Sequence, residues 1–449
     1  MAKIVLIGAG GIIFARNFIK DILISEALCG SEIILMDIDA GRLKNAEIFA
    51  RKIGEKLQVV PRIKATTDLH QAVQGADYVI TLFRVGTLEH QRLEQEIPRK
   101  FGVDQVVGDT MGPGGVFRGL RTLKALFAVI DAMEAGCPGA YLLNYVNPMS
   151  LNTIALSRRA KTIKVIGLCH SVQHTAGELA KYIGADKKQV RFLCAGVNHQ
   201  SFFLKFEVDG QDAYPRLREA MAKPEIYNQD KVRFELFRHF GFFSTESSGH
   251  ASEYIPYIRK RKDLIDKFCR VDYPNASDGI EWGAMSAGRS GASIEICAGL
   301  QVRNDKEIAA LLDGTKEFDL NPSAEYAVQI INAVEANVPL AANLNVINHG
   351  LIATLPPECC VEVPCLVDGG GITPCRIENY PEQLAGLNRG MINLQMMAAE
   401  GALECSRRKI FQAIALDPLT AAVCSLDEIQ AMTDELFTEL RGQIDSRFF

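Results

Sequence analysis

The chain has 449 residues, 48% of them hydrophobic and 23% charged, the proportions of a folded globular enzyme large enough for two lobes. A formal net charge of −5 and a single Trp argue against a nucleic-acid or anionic-membrane surface as the main partner. No run approaches the roughly 18 apolar residues of a membrane helix, and the twelve cysteines contain no C-x-x-C pair, so free thiols in a cytoplasmic protein are expected.

In chain order, the first apolar run, Ile4 to Ile7, is too short for a signal-peptide core and reads as a buried strand. It leads into Gly8-Ala9-Gly10-Gly11 and a helix over Phe14 to Leu23. Strand, glycine turn and helix are the context in which a backbone approaches a pyrophosphate at a helix N-terminus. Ile13 stands where the third glycine of that fingerprint would be, and an ordinary tight turn is the alternative. A second strand, Glu32 to Met36, ends in Asp37, a carboxylate placed to hydrogen-bond an adenosine ribose and so to favour NAD over NADP. Asp39, ahead of Ala40 to Leu43, fits a helix cap better.

Further strands are expected at Ile63–Thr66, Asp77–Phe83, Tyr141–Asn147 and Lys164–Leu168, alternating with helices. That alternation predicts a doubly wound α/β parallel sheet. Asn147, at a strand end before Pro148, faces a nicotinamide or substrate if it is not simply a turn residue. Gly108-Asp109-Thr110-Met111-Gly112-Pro113-Gly114-Gly115 lacks the Lys-Ser/Thr pair of a phosphate loop, and is expected to be a mobile loop over the substrate, followed by a helix at Phe117–Met133.

Cys169-His170-Ser171 follows the strand at 164–168, and His199 comes one strand later. Thiolate and neutral imidazole suit a divalent transition metal, although a buried Cys beside a His is commonly packing. Beyond Asn198 the pattern becomes mixed α+β, with long helices at Gln383–Arg407 and Leu426–Leu440. Cys359, Cys360 and Cys365 lack metal-site spacing and read as packing.

Together these segments resemble the NAD-dependent family 4 of glycoside hydrolases, whose sheet is similar to that of lactate and malate dehydrogenases. The likeness extends along the chain, through Asn144-Tyr145-Val146-Asn147-Pro148-Met149, Gly196-Val197-Asn198-His199, Thr245-Glu246-Ser247-Ser248, Val361-Glu362-Val363-Pro364 and Asp417-Pro418-Leu419-Thr420. It implies a Rossmann-type NAD-binding part over residues 1–195 and an α+β substrate and oligomerisation part over 196–449. It implies NAD held by Gly8, Gly10, Gly11, Asp37 and Asn147, and Mn²⁺ or another divalent metal held by Cys169 and His199. The implied reaction oxidises sugar C3 transiently, removes the C2 proton, eliminates the aglycone and then adds water. Asp109 and Asn147 would bind the sugar, with His250 beside it. His170 would assist the leaving oxygen, and Tyr254 would be the base, with His250 as its competitor. Cys169-His170-Ser171 looks like the version in α-galactosidases that take unphosphorylated, melibiose-type sugars. An α-glucosidase or α-glycuronidase of the same family, and a hydroxy-acid dehydrogenase, are the alternatives. Members of the family usually associate, so a homodimer or homotetramer is expected. Ser323-Ala324-Glu325-Tyr326 departs from the family in having Ala324 where Arg is expected.

Overall fold

The computed structural model describes residues 1–269, 280 and 282–449. Its frame is one mixed sheet: β1 (Lys3–Ile7), β2 (Glu32–Met36), β3 (Arg62–Thr66), β4 (Tyr78–Thr81), β5 (Tyr141–Asn144), β6 (Lys164–Gly167), β7 (Val190–Val197), β8 (Gln200–Val208), β9 (Gln211–Asp212), β10 (Leu340–Ile347), β11 (Cys360–Asp368) and β12 (Gly371–Pro374). The first six pair in parallel in the order β3-β2-β1-β4-β5-β6. Continuous apolar runs form them because helices cover both faces: Ile4, Val5 and Leu6 are fully buried, as are Val79, Ile80, Leu142 and Leu143. The order reverses between β1 and β4, and the glycine turn lies at the C-terminal end of β1, where open α/β sheets bind ligands. The predicted doubly wound sheet is therefore present, with strand limits close to those read from the sequence.

The second half of the sheet is antiparallel. β10 and β11, from the last third of the chain, insert between β6 and β7. The hairpin of β7 and β8 that carries His199 is thus two strands away from β6 in the sheet, although it follows β6 in sequence. One sheet spans both halves, and the division expected at 195/196 falls inside β7.

The glycine-rich segment differs from the expected mobile loop. The helix Gly112–Gly136 begins at the first of its later glycines, and Asp109 to Phe117 are buried. A Cβ at Gly114 would lie 2.2 Å from the Glu94 carbonyl oxygen, so this glycine serves a close approach between helices. Arg121, on the same helix, is buried in an ion pair with Glu94, its Nη2 2.9 Å from Oε2. All twelve cysteines are free, as expected. Among the described residues no helix is long and apolar enough to cross a membrane.

Candidate active site

The glycine turn is held by its own backbone and by Asp37. The Gly11 amide donates to the Gly8 carbonyl at 3.0 Å, and the Gly10 amide donates to Asp37 Oδ2 at 2.8 Å. A Cβ at Gly10 would stand 2.6 Å from Asp37 Oδ2, and one at Gly8 would stand 2.8 Å from Phe83 Cβ, so side chains at either position would fill the cradle. The helix Ile12–Ile24 starts here without a side-chain cap or an acidic residue in its first turn. Its free amides and partial positive charge fit a pyrophosphate, and the Asp37 carboxylate beside them fits a ribose diol. Gly8, Gly10, Gly11 and Asp37, named from the sequence, all lie at the reversal point.

Across the C-terminal edge of the sheet lies a cluster of titratable side chains. Asp109, His199 and His250, all buried, offer ligand atoms within 4.8 Å of one another. Cys169, on the turn after β6, is the residue whose charge does most to raise the His199 imidazole. His199 sits at the tip of the β7–β8 hairpin with φ +66°, and Glu246, whose Oε1 is 3.7 Å from His199 Nε2, has φ +71°. Non-glycine residues in this left-handed region are held there at a cost by their surroundings, a pattern common at functional sites. His199 Nδ1 meets Thr110 Oγ1 at 3.0 Å and Tyr254 Oη at 3.2 Å. Thr110 Oγ1 donates to Asp109 Oδ1 at 2.8 Å, and Asn147 Nδ2 donates to Asp109 Oδ2 at 3.1 Å. His250 Nδ1 contacts Ser247 Oγ at 2.9 Å, while its Nε2 lies 4.0 Å from Asp109 Oδ1.

The electrostatics of this cluster favour positive charge. Burial alone would depress the His199 imidazole, but Cys169, Glu246 and Asp109 outweigh it and push the ring up to about 10. Burial likewise opposes ionisation of Asp109, yet Arg118, His250 and His199 hold its carboxyl down at about 2. A partly buried sulfur, two buried imidazoles and a buried carboxylate that together attract a cation are a donor set suited to a divalent metal. Burial and the Asp109, Glu253 and Glu246 carboxylates hold the Tyr254 hydroxyl in its protonated form.

The sequence-named residues outside the glycine turn come together here, with His170 at the border. Cys169 and His199 adjoin, Asp109 and Asn147 bond to each other, Tyr254 points at His199, and His250 completes the cluster. His170 turns to a different partner: its Nε2 is 2.7 Å from Glu325 Oε2. Sequence reasoning missed Thr110, Glu246, Glu253 and Glu325 as parts of the site. Glu253 is 1% exposed, and its carboxylate accepts from the amides of Val106 and Val107, both at 2.5 Å, and of Gly108 at 3.1 Å. That fixes the strand of chain entering Asp109 against the helix that carries His250 and Tyr254. Its neighbour Tyr254 was the only signal in the sequence.

Comparison with known proteins gives this geometry a context. Residues 3–185 match the model of the family 4 glycosyl hydrolases, and residues 194–420 match that of the family's C-terminal domain. An α-galactosidase of Bacillus subtilis (strain 168) is 38% identical over 97% of this chain and 98% of its own. An α-galactosidase of Rhizobium meliloti (strain 1021) is 34% identical over 97% of this chain and 87% of its own. The fold is also that of a 6-phospho-α-glucosidase from gut microorganisms solved in complex with NAD and Mn²⁺, with a TM-score of 0.81 and 19% identity over 99% of each chain. The paired matches along nearly the whole sequence, on a sheet carrying the glycine turn and the Cys169–His199 cluster, show that the chain belongs to the family 4 glycosyl hydrolases.

Proposed function

We propose that this glycosidase is an α-galactosidase of the cytoplasm that hydrolyses unphosphorylated α-galactosides of the melibiose type with NAD and a divalent cation, Mn²⁺ by likeness to its relatives. The reading is supported by two relatives named α-galactosidases that match along nearly the whole chain. The observation that carries the neutral sugar is the charge of the site. Asp109, Glu246 and Glu325 place three carboxylates around Cys169, His170 and His199, with the guanidinium of Arg118 acting on Asp109 and that of Arg233 on Glu246. A phosphorylated or uronic sugar would meet like charge here.

In this reading residues 1–195 supply the cofactor side and 196–449 the substrate side and the surface through which copies associate, as a homodimer or homotetramer. Gly8, Gly10, Gly11, Asp37 and Asn147 would hold NAD, and Cys169 and His199 the cation. Bound NAD⁺ would supply the hydride acceptor for sugar C3, and a bound cation would supply Lewis acidity at the sugar oxygens and the positive charge that lets Tyr254 ionise. Asp109 accepts from Asn147 and Thr110, and this pairing orients its carboxylate to receive sugar hydroxyls. Tyr254 Oη takes the proton from C2, its position fixed by His199 Nδ1 at 3.2 Å. His170 gives a proton to the glycosidic oxygen as it leaves and recovers one from the water that adds. Burial of Asp109, His199 and Tyr254 excludes bulk water from the oxidised sugar.

The test is a panel of p-nitrophenyl α-galactoside, α-glucoside and α-galacturonide with NAD⁺, Mn²⁺ and a thiol reductant. The galactoside is expected to have the highest kcat/KM. A uronide preference would overturn the neutral-sugar reading, and a glucoside preference would move the assignment to the α-glucosidases of the family.

A further inference from the structure

β10 and β11 stand between the strand that leads to Cys169 and the hairpin that carries His199, and each inserted strand is registered to its outer neighbour at a single residue pair. Both pairs fall on one row. Gly167 of β6 faces Asn345 of β10, Asn345 faces Glu362 of β11, Glu362 faces Gly196 of β7, and Gly196 faces Ser201 of β8. Residues in register across a sheet point to the same side, so Asn345, Glu362 and Ser201 share one face. All three are fully buried. Gly167 makes the room, since a Cβ there would lie 2.8 Å from Asn345 Cβ. Hydrogen bonds run along the row. Asn345 Nδ2 donates to the Gly167 carbonyl at 3.3 Å and to Glu362 Oε1 at 3.4 Å. Ser201 Oγ donates to Glu362 Oε2 at 2.7 Å and lies 3.2 Å from the Val197 carbonyl oxygen. Gly167 is two residues before Cys169, and Val197 is two residues before His199.

Glu362 is flanked by Val361 and Val363, both fully buried, and no lysine or arginine pairs with its carboxyl group among the described residues. A buried carboxyl without a counterion costs stability that an apolar residue would not, so packing does not account for it. Its two oxygens serve opposite sides of the inserted strands: Oε1 reaches the strand of Cys169 through Asn345, and Oε2 reaches the hairpin of His199 through Ser201. The Ser201 backbone extends the tie, its amide donating to Thr245 Oγ1 at 3.1 Å and its carbonyl accepting from the Thr245 amide at 2.8 Å, one residue before Glu246. We infer that Glu362 is the positioning residue of Cys169 and His199: it bridges the two inserted strands and sets the separation and aim of the two ligand side chains. It acts through Asn345 and Ser201, not by ligation. The inference rests on the reading of Cys169 and His199 as the cation's ligands. The turn at His199, with φ +66°, needs such a support, because a hairpin tip held from one side only would be free to relax to an ordinary backbone conformation and swing the imidazole away.

Co²⁺ is the probe, because a cobalt–thiolate bond gives a charge-transfer band that reports the sulfur without turnover. In wild-type protein loaded with NAD⁺, Co²⁺ is expected to raise this band, and Cys169→Ser to remove it. Glu362→Ala is expected to raise the Co²⁺ Kd by about 10- to 100-fold, the usual worth of an outer-shell partner, and to shift or weaken the band at saturation while the NAD⁺ Kd stays unchanged. Glu362→Gln keeps the side-chain length and one acceptor oxygen, and should recover most of the affinity and the wild-type band. An Ala variant with the wild-type Kd and band, or a Gln variant no better than Ala, overturns the inference. Ser201→Ala removes only one arm of the bridge and decides the case if Glu362→Ala no longer binds NAD⁺. A raised Co²⁺ Kd in Ser201→Ala with NAD⁺ binding intact supports the bridge, and an unchanged one overturns it. A wild type without the band, or a Cys169→Ser variant that keeps it, refutes the ligand pair and the bridge with it, whereas the earlier outcomes refute the bridge alone.

Discussion

Gly10→Ala isolates the cofactor cradle. The added Cβ would lie 2.6 Å from Asp37 Oδ2 and 2.8 Å from Arg42 Cβ, where ordinary contact begins near 3.4 Å. About 0.8 Å must therefore be found by moving the Asp37 carboxylate or by opening the turn. Asp37 cannot move without losing the 2.8 Å bond from the Gly10 amide and the 3.0 Å bond from the Asp39 amide. Either route takes the carboxylate away from the ribose position. Loss of one charge-assisted hydrogen bond is worth about 1.5–3 kcal/mol, which corresponds to a rise in the NAD Kd of about 10- to 150-fold. Calorimetric titration with NAD⁺ measures it directly. An unchanged Kd would show that Asp37 takes no part in binding and would refute the cradle.

Cys169→Ser should weaken Mn²⁺ binding by more than the 10- to 100-fold typical of losing an outer-shell partner while leaving NAD⁺ affinity intact; electron paramagnetic resonance of free Mn²⁺ counts the bound ion, and undiminished binding would remove Cys169 from the ligands. Tyr254→Phe should abolish exchange of the substrate C2 proton with solvent deuterium; exchange at the normal rate would transfer the base to His250. Asp417, which caps the helix Pro418–Val423 by accepting from the Thr420 amide at 2.8 Å, is pushed up to about 6 by burial. Its native form binds a proton that the unfolded chain has lost, so its contribution to stability is full below about pH 4 and fades as pH rises to about 6. The change is about 3 kcal/mol. Urea melts at pH 4.5 and 7 should show a smaller pH dependence in Asp417→Asn than in the wild type, and equal slopes would contradict the buried acid.

The parallel half of the sheet was legible because its strands are short apolar runs buried on both sides, such as Ile4–Ile7 and Tyr141–Asn144, punctuated by glycine turns. The insertion of β10 and β11 between β6 and β7 was not legible, since no local pattern records which strand a distant segment pairs with. The same reason hid parts of the site. Cys169 and His199 carry their chemistry in their side chains and could be named from sequence. Glu325, 155 residues from His170, and Glu253, which clamps three amides at 106–108, act only through contacts that the fold creates. Glycines misled in one place: Gly112, Gly114 and Gly115 suggested a mobile loop, whereas Gly114 admits the Glu94 carbonyl at the start of a buried helix.

We propose that Cys169, His199 and the glycine turn form one redox-assisted site. Release of p-nitrophenol from the α-galactoside by protein stripped of nucleotide and metal, and then re-supplied with NAD⁺ and Mn²⁺ under a thiol reductant, tests it most directly. No turnover is expected until both are returned, with recovery only when they are present together. Full activity in the stripped protein would contradict it.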